Sequence, residues 1–158
     1  MSTDRGDDTM NAPQQGSDEG FTAAERAAMK ERAKEVRAAR TRKGAVSPQE
    51  AAAEVEAKIA ELTGTDRAIA DRLHELVAEH APVLAPKTYY GMPAYAKDGK
   101  VVCFFQPAAK FKSRYAMLGF GDAAALDDGA MWPTYYAITE LTAEVEKRIA
   151  ELVTRAAG

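Results

Sequence analysis

Asp71, Glu75 and Glu79 fall at positions i, i+4 and i+8 of one segment, with His74 between them. On a helix that spacing stacks three carboxylates down one face, where like charges repel by a few tenths of a kcal/mol per pair. Oxygen donors joined by an imidazole suit a hard or borderline cation, and weak binding of iron by Asp71, His74, Glu75 and Glu79 is the chemistry this pattern points to. The same run also reads as a solvated acidic face relieved by Arg67 and Arg72. His80 lies six residues after His74, about 120° around a helix, so the two cannot chelate one ion from that segment. His80 reads as a partly buried residue bonding a terminal carbonyl. The only cysteine, Cys103, sits between Val102 and Phe104 and reads as a small core residue rather than a reactive thiol.

A second set lies further on. Lys87, Lys97, Lys100, Lys110, Lys112 and Arg114 are interleaved with Tyr89, Tyr90, Tyr95, Trp132, Tyr135 and Tyr136. Cations beside aromatic surface can form a pocket for an anionic small molecule or a peptide. The residues that would line it are Tyr90, Met92, Pro93, Lys112, Arg114 and Trp132. The competing reading is an aromatic core with a basic rim. No nucleophile motif, phosphate loop or zinc-protease helix is present, and no residues combine a nucleophile, a base and an orienting group. The chain reads as non-enzymatic.

The elements that must position these residues follow from pattern. Residues 1–20 are rich in Asp, Gly, Ser, Gln and Pro and read as a disordered acidic tail. Thr22 and Glu25 form a capping box that opens an alanine-rich basic helical arm, and the arm segment, 21–44, ends at Gly44. Ser47-Pro48-Gln49-Glu50 opens a second helix and Thr65 or Asp66 a third, stopped by Pro82. Strands are expected from the apolar and β-branched runs at Ala94–Lys97, Val101–Phe105, Ser113–Phe120 and Ala130–Ile138, with Asp98-Gly99 as a tight turn. Val101–Phe105 is apolar on both faces, the signature of an inner strand covered on each side. A closing helix spans about 140–155. The expected fold is α+β: an antiparallel β-meander of about five strands, two helices before it and one after, packed as a sandwich over residues 45–158.

Charge is unevenly spread over the 158 residues. Residues 1–20 carry a net −4, residues 21–43 carry eight basic against three acidic side chains, and the remainder is again −4. The basic arm invites non-specific contact with polyanions, but it has no interleaved aromatics, so sequence-specific nucleic-acid readout is not expected. No apolar run reaches the roughly 18–20 residues of a membrane helix, and no secretory leader is visible. One cysteine permits no internal disulfide, and a cytoplasmic location is expected.

Tyr90-Gly91-Met92-Pro93-Ala94-Tyr95 followed by Asp98-Gly99-Lys100-Val101-Val102-Cys103-Phe104-Phe105 resembles the YdhG-like family of small bacterial α+β domains. Gly119-Phe120 and the amphipathic closing helix continue the likeness. Lys110–Tyr115, Leu126–Pro133 and the arm at 21–32 are similar to an actinobacterial subgroup. The resemblance implies a domain of unknown function, one branch of which is frataxin-like: an iron chaperone serving iron–sulfur cluster or haem assembly proteins without changing a bond.

Overall fold

The computed structural model describes residues 20–41 and 47–158. The expected tail and the Gly44 stop lie outside the described residues. Helix α1 spans Ala23–Thr41, α2 Pro48–Ala60 and α3 Gly64–His80. Five strands follow: β1 Ala85–Tyr89, β2 Met92–Lys97, β3 Lys100–Gln106, β4 Ala116–Phe120 and β5 Tyr135–Ile138. A one-turn helix α4, Ala108–Phe111, interrupts the meander after β3, and α5, Ala143–Ala157, closes the chain. Every neighbouring strand pair is antiparallel and the order is β1-β2-β3-β4-β5. This is the α+β meander that the pattern predicts. Among the described residues no helix is long and apolar enough to cross a membrane.

Local chemistry accounts for the element ends. The Glu25 N–H donates to Thr22 Oγ1 at 3.1 Å, and the Glu50 N–H donates to Ser47 Oγ at 3.1 Å, so both caps work as their residue types require. Thr142 caps α5 in the same way, through Val145 N. Two strands are shorter than the apolar runs suggest. Only Ala116–Phe120 of Ser113–Phe120 pairs, and only Tyr135–Ile138 of Ala130–Ile138 does. Lys112 ends α4 in the left-handed region, and Pro133, which has no N–H to donate, interrupts the second run before pairing starts.

The sheet has two unlike faces. Helices α2, α3 and α5 cover one with a continuous core: Val55 and Ile59 from α2, Ile69, Leu73 and Val77 from α3, Ile149 and Val153 from α5. Tyr95, Val102, Cys103, Phe105 and Leu118 meet them from the strands, each 1% exposed or less. Each such large side chain is worth about 1.5–3 kcal/mol of burial. A bulge at Tyr95/Ala96, where Cys103 and Val101 are the successive partners, leaves Val102 unpaired. It lets consecutive Val102 and Cys103 both enter this core. The other face carries a much smaller hydrophobic cluster, Met92, Ala94 and Phe104, with Tyr89, Tyr90, Val101 and Phe111 packed around it.

Candidate functional site

The sparsely covered face carries the candidate site. Cross-strand register puts Tyr89 opposite Met92, Ala94 opposite Phe104, Phe104 opposite Gly119 and Gly119 opposite Tyr135. Since alternate residues share a face, these side chains stand together. Phe104 lies flat on the sheet because position 119 is glycine: a Cβ there would come within 2.4 Å of the ring. Tyr89 and Tyr135 flank that ring, with centroids 5.6 and 5.8 Å away. Burial pushes the Tyr89 phenol above its ordinary range, so it is a neutral donor at physiological pH.

Two connected hollows open over this platform, sharing Tyr89, Phe104 and Gly121. One, about 660 Å³, is rimmed by Arg32, Lys87, Lys100, Asp98 and Asp122. The other, about 480 Å³, runs under the start of α1 among Met29, Met92, Phe111 and Tyr135. The cleft is therefore polar and mainly cationic at one end and apolar at the other.

Helix α1 roofs the cleft through polar contacts. Tyr90 and Gly91 occupy a tight turn with φ of 53° and 74°, a mirror-image turn that leaves consecutive N–H groups pointing outward. Both donate to the Glu35 carboxylate, at 3.2 Å from Tyr90 and 3.0 Å from Gly91. Lys110 Nζ donates to Gly91 O at 3.1 Å, and a Cβ at position 91 would meet that ammonium at 2.6 Å. Burial, reinforced by nearby Lys58, lowers the Lys110 pKa. Arg32 lies over Tyr89 and Tyr90, 5.2 and 5.8 Å from their centroids, and Glu31 pairs with Lys58 at 3.5 Å. Among the described residues of α1 only Ala28 is buried.

The carboxylates of the ladder on α3 are paired with arginines. Asp71 pairs with Arg67 at 2.9 Å. Arg72 takes Glu146 from α5, Glu75 at 2.9 Å and Glu79 at 3.9 Å, and the hydrogen bonds to Glu146 and Glu75 raise its pKa further. His74 turns away from the ladder: its Nδ1 is 2.9 Å from the Tyr95 hydroxyl, and Nε2 is 3.8 Å from Glu56. Among the described residues no group of three or more His, Cys, Asp and Glu is arranged to hold a metal ion. His80 corrects an expectation as well. Its side chain is exposed beside Glu79, and the helix end is closed by the backbone, the Ala81 N–H donating to Val77 O at 2.9 Å. Cys103 is fully buried, and burial pushes its thiol up to about 12.

Of the expected ligand set, Tyr90 and Met92 line the apolar end of the cleft. Pro93 is buried and pairs with Thr88, one residue out of phase with Met92. Lys112 and Arg114 are exposed beyond α4, with Arg114 over Tyr115. Trp132 packs against the core under the opposite face. None of these four lines the cleft. Sequence reading missed Phe104, Gly119 and Glu35. The aromatic–glycine pair in adjoining strands was the available signal for the first two. Compared with family models, curated proteins and solved structures, the chain matches none.

Proposed function

We propose that the protein is a non-enzymatic binding module that holds an anionic aromatic small molecule between α1 and the open face of the sheet. The observation that carries this reading is the polarity gradient of the cleft: Phe104, flat over Gly119 between Tyr89 and Tyr135, is an aromatic platform that ends at Arg32 and Lys87. A flat ring stacks on such a platform, and its carboxylate or sulfonate meets the cations. A holding role rather than a reaction is supported by the state of the reactive side chains, since Cys103 is a buried neutral thiol and His74 is bonded to Tyr95. The likeness to YdhG-like domains agrees with a role that changes no bond. Iron delivery would require the carboxylates of α3 to leave Arg67 and Arg72.

Titration of 2-naphthoate followed by amide chemical shifts tests the proposal. Saturable changes at β3, β4 and the Tyr90-Gly91 turn are expected, weakened several-fold by Lys87→Gln and by Phe104→Leu. No saturation, or equal affinity in both variants with their fold intact by circular dichroism, would refute it.

A further inference from the structure

Docking of α1 sorts its charges. Glu31 and Glu35 are the only acids between residues 26 and 40, and both turn toward the body, one to Lys58 and the other to the Tyr90-Gly91 turn. Arg32 goes with them, over Tyr89. Arg26, Lys30, Lys34 and Arg37 recur at steps of four, four and three, so they share the outward face, and Arg40 continues it. All five are exposed. Arg26 also donates to Phe21 O and Arg37 to Ala33 O, and the five cations form a stripe about 21 Å long on the outward side, at 1.5 Å per residue.

We infer that this stripe is a docking surface for the phosphate backbone of duplex nucleic acid, read without regard to sequence. Duplex DNA carries one negative charge per about 1.7 Å of axis, so the stripe lies along a dense, regular row of phosphates. The remainder of the chain after the arm is net acidic and would be held off, which orients the duplex along α1. A membrane fits less well. Interfacial helices bury an apolar face, and the apolar side of α1, with Ala28 and Met29, is spent on the cleft. The stripe also lacks aromatic side chains, so single strands gain no stacking from it. This surface is separate from the cleft, and neither inference depends on the other.

Fluorescence anisotropy of a labelled random-sequence 20-base-pair duplex tests it with the full-length chain. Micromolar binding is expected at about 50 mM salt, with a log–log salt slope approaching −4.5 if all five cations engage, at about 0.9 per phosphate. The Arg26→Gln/Lys30→Gln/Lys34→Gln/Arg37→Gln variant keeps residues that favour helix and should retain its circular dichroism. Its slope should fall to about −1 and its affinity at least tenfold. Lys87→Gln, in the cleft, should change neither. No duplex binding at this salt, an unchanged fourfold variant, or tighter binding to phosphatidylserine-containing vesicles than to the duplex would overturn the inference.

Discussion

The two faces of the sheet use the same strands for opposite purposes. On the helical face, Phe105 and Leu118 are wholly enclosed and meet side chains from α3 and α5. On the other, Phe104, one residue away, is covered by a single helix that is attached mostly through charged groups. Dense apolar packing gives stability without room, and polar attachment leaves room at a cost in stability. The meander thus separates the part that keeps the chain folded from the part that can receive something.

The largest expected contrast is between neighbours in β3. Phe105→Ala should cost about 3–5 kcal/mol in urea unfolding, as large aromatic deletions from closed cores do. Phe104→Ala should cost about half that, because its ring faces a cleft. Equal losses would erase the distinction between the faces.

Alkali should separate them next. Cys103 and Tyr95 lie in the helical-face core, and burial raises both pKa values. Unfolded, the thiol ionises near 9, whereas folded it stays neutral to about 12. Stability that is complete below about pH 9 is therefore lost as pH climbs through that window, by up to roughly 1.4 kcal/mol per pH unit for each proton released. Lys110, under α1, has the reverse sign. Its lowered folded pKa means the penalty for holding it charged is relieved as pH rises toward 10.5. Cys103→Ala should flatten the decline of global stability above pH 9, measured by denaturant titration at each pH. An unchanged slope would show that the thiol is not the source.

The smallest effect should be the most local. Glu35→Gln weakens two charge-assisted hydrogen bonds at a partly exposed site, for about 1 kcal/mol. Hydrogen exchange should accelerate in α1 and at Tyr90 and Gly91 while α2, α3 and β3 keep their protection. Uniform acceleration would mean that the arm and body unfold as one unit.

What could be read from sequence was local. Thr22 and Ser47 announce their helices because a cap acts within three residues. Asp98-Gly99 announces its turn, and Cys103 between Val102 and Phe104 announces a core. What could not be read depends on partners far along the chain. β3 is apolar on both sides, so its pattern does not say that Phe105 is enclosed and Phe104 is not. Trp132 was placed with Tyr90 by composition, but the irregular stretch before β5 delivers it to the other layer. The acidic ladder was correctly spaced, yet arginines from its own helix occupy it. Glu35 could not be matched to a turn more than fifty residues away by any periodicity.

Asp66 is one such distant partner. It is the only charged residue of the described chain that is buried, and both its oxygens accept from α4, at 3.0 Å from Ala108 N and 2.9 Å from Ala109 N. A single turn of helix has no means of holding itself together in water. That turn carries Lys110 to Gly91 and Phe111 to the apolar hollow. The geometry of the receptive side is thereby dictated by a carboxylate rooted in the structural side, and a change at position 66 would be felt at the hollow that Phe111 lines.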